Sequence, residues 1–192
     1  MANELTFDKV YPWIKQLEGS MAGGEITFTA NDGQTAKVQV PWHLWKADLG
    51  VFYVIDEGDK FQMLQSNMLP EGVTEDELFE KACNNLLRDV EYRVAETSWG
   101  GNGLVCGGNF EACAICIPGI AEFIGQQYQE DFIMAVPARD VILMVPAGDD
   151  DRVHNLKVTV QSIMESGDHT LSKHLFHYSI ETHEFSDIGE AY

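Results

Sequence analysis

Two short runs, Phe132 to Val136 and Val141 to Val145, are apolar at every position and flank Pro137-Ala138-Arg139-Asp140. Each run is about the length of one strand. Successive side chains of a strand point to opposite faces, so a strand without polar alternation needs cover on both sides. The pair therefore predicts a central hairpin buried on both faces, and the rest of the chain must supply that cover.

Two amphipathic helices suit that task. Thr74 and Glu77 form a T-x-x-E capping box able to satisfy two orphan backbone donors. Behind it Leu78, Phe79, Ala82, Cys83, Leu86 and Val90 recur at spacings of three and four, predicting a helix to about Arg93 with Cys83 as a core thiol. Asp149, Asp150 and Asp151 stand where a helix N-terminus favours negative charge. They precede Val153, Leu156, Val160, Ile163 and Met164 and a stop near Gly167.

Hairpin signals account for much of the remainder. Glu25 to Val40 alternates around Asn31-Asp32-Gly33, and Gly50 to Ile55 faces Phe61 to Leu64 across Asp56-Glu57-Gly58-Asp59. The tail from Leu175 to Ser186 alternates enough for a closing strand or hairpin. Phe7, Val10, Tyr11, Ile14 and Leu17 have helical spacing before Gly19 and predict a short first helix, with Pro12 near its first turn. The glycines between Gly100 and Gly108 predict a loop, Phe110 to Ile117 a strand, and the stretch after Pro118-Gly119 a short helix. The expected fold is α+β: a mostly antiparallel sheet built from hairpins, with two main amphipathic helices packed on it, in a single domain covering residues 1–192.

A chain of 192 residues can bury roughly 70% of its unfolded surface and needs no covalent staples. Its 12 Lys and Arg against 31 Asp and Glu give a net charge of -19, which repels phosphate backbones and anionic membranes and favours a basic protein partner. Nucleic acid is therefore not an expected partner. The start MANELTFDKV lacks the basic and apolar stretches of a secretory signal, so the four cysteines are expected to be cytoplasmic thiols. The apolar runs fall far short of the ~20 residues of a membrane-spanning helix. Homo-oligomerisation stays open.

Four segments carry a family resemblance. They are Val51-Phe52-Tyr53-Val54-Ile55-Asp56, Ala82-Cys83-Asn84-Asn85-Leu86, Gly107-Gly108-Asn109-Phe110-Glu111-Ala112, and Pro137-Ala138-Arg139-Asp140 followed by an apolar strand. In their order and spacing, from about Gly50 onward, they resemble the YtpQ-like family of uncharacterised bacterial proteins. The resemblance implies a cytosolic bacterial α+β domain and supplies no active site.

Several constellations bear on chemistry. Arg139 and Asp140, at the mouth of two apolar strands, suit anion or ligand binding, or else ion pairing within the turn. Cys113 and Cys116 lie three apart, a spacing that on the predicted strand sends them to opposite faces. The same argument separates His174 from His177. Asp149 to Asp151 lacks the spacing of a calcium loop, and the glycine segment lacks the lysine of a phosphate-binding loop. No metal, cofactor or catalytic residue is assigned. Trp42 and Trp45 sit in the aromatic-rich Pro41-Trp42-His43-Leu44-Trp45, read as a connection between strands and as a partner-binding surface or half-buried packing.

Two functional readings follow. One is a non-enzymatic acidic protein-binding domain of the immunity or adaptor type. The other is a small-molecule-binding domain or enzyme with its pocket near the Pro137 to Asp140 turn and the glycine-rich segment.

Overall fold

Val10, Tyr11, Trp13 and Ile14 are the β-branched and aromatic residues that favour extended backbone, and they override the helical spacing around them. In the computed structural model, which describes residues 7–17, 24–29 and 33–192, a 3-10 turn (Phe7–Lys9) leads directly into strand β1 (Val10–Gln16). The predicted first helix is therefore a strand, and its expected end at Gly19 lies outside the described residues. Pro12 is tolerated because β1 ends the order β1-β5-β4, and an edge strand can spare one ladder donor.

The chain groups into two compact units, Met1–Trp45 with Gly50–Asp89 and Lys46–Leu49 with Val90–Tyr192. In the first, β2 (Glu25–Thr29) and β3 (Thr35–Gln39) form the expected antiparallel hairpin, with Ile26 opposite Val38. Asn31 and Asp32 of its turn lie outside the described residues. Strand β4 (His43–Lys46) occupies the aromatic segment that the sequence presents as a connection. Strand β5 (Leu49–Asp56) pairs with β6 (Phe61–Met63), and the Asp56 carboxylate accepts from the Gly58 N–H at 2.7 Å to fix the reversal.

Helix α1 (Glu75–Asp89) opens on the predicted capping box, in which the Thr74 N–H donates to Glu77 Oε2 at 2.9 Å and the Glu77 N–H to Thr74 Oγ1 at 3.2 Å. The helix packs on β1 and buries Leu78, Ala82, Asn85 and Leu86, whereas Cys83 is half-buried rather than in the core. Buried Asn85 donates to the carbonyls of Phe7 and Val10, so helix and strand are joined by polar bonds as well as apolar area.

The second unit is built on a six-stranded sheet. Its strands are β7 (Arg93–Glu96), β8 (Asn102–Val105), β9 (Phe132–Ala138), β10 (Val141–Pro146), β11 (His174–Ser179) and β12 (Glu184–Glu190), in the order β12-β11-β9-β10-β8-β7. Every neighbouring pair is antiparallel. The central hairpin is β9 and β10, buried along almost its whole length as its composition requires. At one edge β12 carries Glu184, Asp187 and Glu190, and at the other stands the four-residue β7.

Both faces are covered. Helix α3 (Asp150–Ser166) begins with Asp149 accepting from the Arg152 N–H at 3.0 Å, and sets Leu156 and Val160 against Ile133, Ala135, Leu143, Val145 and Leu175. On the opposite face, a 3-10 segment (Ala112–Cys116) and helix α2 (Pro118–Tyr128) cover Phe132, Met134, Ile142 and Met144, with a void of about 10 Å³ between them. Phe110 to Ile117 is thus not the predicted strand. The fold class is the expected α+β, but the Thr74 helix packs on β1 in the first unit, so the second face of the central hairpin is covered by α2 and not by that helix. No helix among the described residues is long and apolar enough to cross a membrane.

Candidate functional site

The close packing under α2 ends at the β7 margin. Strand register sets Val94 opposite Leu104 and Leu104 opposite Ile142, one apolar row on the α2 face. Ile142 at the inner end of that row is buried, but Val94 at the outer end is 44% exposed. Above it, Ile120, Phe123, Ile124 and Gln127 line up on α2 at spacings of three and four, and Phe123 remains 50% exposed. Between the helix and β7–β8 lies a cavity of about 480 Å³.

Polar groups enter this apolar space at few points. The Tyr128 hydroxyl donates to Asn102 Oδ1 at 2.6 Å and lies 3.2 Å from the Met144 carbonyl. At the other end the Tyr92 hydroxyl donates to the Phe110 carbonyl at 2.7 Å. Burial pushes the Tyr128 phenol up to about 12. Burial, reinforced by the neighbouring thiols of Cys113, Cys106 and Cys116, raises Tyr92 further still. Both rings are protonated at neutral pH, and neither can serve as a base.

The glycine-rich segment contributes Asn102 and Leu104 to the cavity, whereas Arg139 and Asp140 are not among its lining residues. Tyr92, Phe123 and Tyr128 were not anticipated. The spacing of Ile120, Phe123, Ile124 and Gln127 signals a helical face, but no local pattern shows that β8 and α2 meet around an open space.

Behind Tyr92 sits Glu111, whose Oε1 accepts from the N–H groups of Cys106 at 2.9 Å and Gly108 at 2.7 Å. Glu111 is only 3% exposed. Burial pushes its carboxyl up, but these bonds together outweigh burial and hold it below its ordinary value. Burial first, and then the Glu111 charge, push the Cys106 thiol up to about 12, far from the thiolate form that nucleophilic chemistry needs. Because Cys113 and Cys116 lie on a 3-10 helix, where residues three apart eclipse, they share a face instead of splitting between two. All four cysteines are thiols, and among the described residues no group of three or more His, Cys, Asp or Glu is arranged to hold a metal ion.

Arg139 and Asp140 form the two-residue turn between β9 and β10. The turn is pinned through main chain, with the Arg139 N–H donating to the His169 carbonyl at 3.1 Å and the Arg139 carbonyl accepting from Ala112 at 3.0 Å. His174 and His177 lie on a strand, as expected, and face different acids. His174 Nδ1 is 3.0 Å from Asp187, and His177 Nε2 is 3.3 Å from Asp131.

In the first unit Trp42 stacks on Phe52 with centroids 5.9 Å apart and planes at 15°. Trp45 is half-buried on β4, and Leu44 between them is 55% exposed. His43 sets its ring edge-on to Phe79 at 4.9 Å, and burial lowers its pKa.

Compared with known proteins, the chain matches no family model, no curated protein and no solved structure.

Proposed function

We propose that the second unit is a binding domain for a small, mostly apolar molecule held between α2 and the β7–β8 margin of the sheet. The observation that carries this reading is the cavity of about 480 Å³ at the β7–β8 end of a helix–sheet interface where the neighbouring void, between α2 and Phe132, Met134, Ile142 and Met144, is about 10 Å³. Its volume is in the range of small-molecule sites, commonly ~300–1,000 Å³, and its walls combine apolar side chains with a few fixed polar groups. With its phenols protonated and hydrogen-bonded, the wall is equipped to hold a molecule rather than to move protons. Mass analysis of the purified chain under native and denaturing conditions tests this reading. A retained small molecule, lost from the Gly119→Leu variant that adds a bulky side chain to the lining, supports it; an empty wild type that binds no apolar probe overturns it.

A second reading, an acidic protein-binding domain of the immunity or adaptor type, is supported by exposed Leu44 between Trp42 and Trp45 and by the net charge of -19. A basic partner steered by charge should be captured at low salt and released as ionic strength rises. Substituting Leu44 and Trp45 by Ala should abolish that capture; an unchanged, salt-insensitive yield overturns the reading. Both readings take the protein as cytoplasmic, as its thiols suit, and as a YtpQ-like protein on the strength of the four sequence segments above.

A further inference from the structure

We infer that the cavity selects an uncharged molecule with an apolar body and a carbonyl-type hydrogen-bond acceptor, and rejects carboxylates and phosphates of the same shape. This inference rests on the ligand-binding reading and adds to it the chemical class of the ligand.

Among the described residues, the lining contains no Lys, Arg, His, Asp or Glu. An ion entering such a space gives up part of its hydration for walls that offer no counter-charge. For an anion the chain's net charge of -19 adds long-range repulsion.

The pattern of donors narrows the choice further. A phenol has one proton, and those of Tyr92 and Tyr128 are already directed to the Phe110 carbonyl and to Asn102 Oδ1. Neither ring therefore has a donor to offer. The Met144 carbonyl at 3.2 Å competes for the Tyr128 proton, but the shorter bond, at 2.6 Å, goes to Asn102 Oδ1 and turns that oxygen toward the phenol. With Oδ1 occupied, Asn102 presents its NH2 as the donor. Gln127 supplies a second amide on the helix side. Around these polar points stand Val94, Leu104, Ile120 and Phe123, which contribute apolar contact alone. The complementary ligand is an aromatic or aliphatic body ending in an amide, ketone or ester carbonyl.

The experiment compares naphthalene-2-carboxamide with naphthalene-2-carboxylate at pH 7 by calorimetric or NMR titration, using the full chain and two variants. Asn102→Asp keeps an acceptor for Tyr128 but removes the NH2 donor. Gly119→Leu adds a bulky side chain to the lining at a position where an added Cβ meets nothing within 4 Å, so the variant should fold. The expected result is carboxamide binding at least about ten-fold tighter than carboxylate. That binding should be weakened several-fold by Asn102→Asp and lost with Gly119→Leu. If both probes bind equally and Gly119→Leu abolishes both, the cavity stands and the ligand class is wrong. If neither probe binds at millimolar concentration, or Gly119→Leu binds both as the wild type does, the class and the underlying cavity reading both fall.

Discussion

The Tyr128 hydroxyl donates to Asn102 Oδ1 at 2.6 Å, joining the last turn of α2 to β8 across 26 positions of sequence. A Tyr128→Phe variant keeps the ring beside Phe132, 6.0 Å between centroids, and loses the hydroxyl's contacts with Asn102 and the Met144 carbonyl. The expected cost is about 1 kcal/mol, read as a lower urea midpoint with an unchanged m-value. Because the Asn102 amide is then no longer held, affinity for the carboxamide should fall as well.

Gly119 and Gly125 lie on the same helix and should respond oppositely to alanine. At Gly119 a Cβ has open space, and removing a glycine's chain entropy should stabilise by about 0.5–1 kcal/mol. At Gly125 the Cβ would come within 2.8 Å of Ile180 Cγ2 and 3.4 Å of Tyr178 Cε1, so repacking should cancel or reverse that gain. Thermal denaturation of the two single variants gives the comparison directly.

Glu111→Ala should leave the N–H groups of Cys106 and Gly108 without their carboxylate. The expected destabilisation is about 2–3 kcal/mol, since the lost bonds are charge-assisted and the site is buried. Glu111→Gln retains an acceptor and should lose less. Equal urea midpoints for Glu111→Ala and the wild type would show that the glycine turn is held by main chain alone.

Acid and alkali should weaken the fold through different groups. Asp89, bonded to Arg88 and Tyr11, is lowered from 3.8 to about 2. Its contribution is complete above pH 3.8 and is lost as pH falls from there towards 2. Tyr11 and Tyr128, raised chiefly by burial from 10 to about 12, contribute fully below pH 10 and lose that contribution between 10 and 12. Urea midpoints across both ranges should show two declining limbs. Tyr11→Phe should remove its own share of the alkaline limb, leaving that of Tyr128, and, by removing a bond to Asp89, part of the acid limb.

The sequence was most readable where one local rule decided the outcome. Thr74 with Glu77, Asp149 before Arg152, and the turn at Asp56 and Gly58 each depend on residues within three positions, and each formed as expected. The first helix failed because Phe7, Val10, Tyr11 and Ile14 satisfy helical spacing while most of them also favour strands, and pairing with β5 decided between the two. Phe110 to Ile117 failed similarly: a short apolar run fits a buried 3-10 helix as well as a buried strand. The cavity was hidden for another reason. Val94, Asn102, Phe123 and Tyr128 come from three elements, and the space between them depends on how far α2 extends over the sheet, which no local spacing records.

The two margins of the six-stranded sheet differ in what they would accept. Glu184, Asp187 and Glu190 give β12 a row of negative charge that resists a second copy of itself, whereas β7 carries Arg93 at one end and Glu96 at the other. Were two chains to join margin to margin through β7, an antiparallel register would set each Arg93 across from the other copy's Glu96 and close the pair on a two-fold axis. The outward margins of such a pair would both be β12. Within this sheet, then, the acids of β12 disfavour pairing of that margin with a second copy, and the opposite charges of β7 do not.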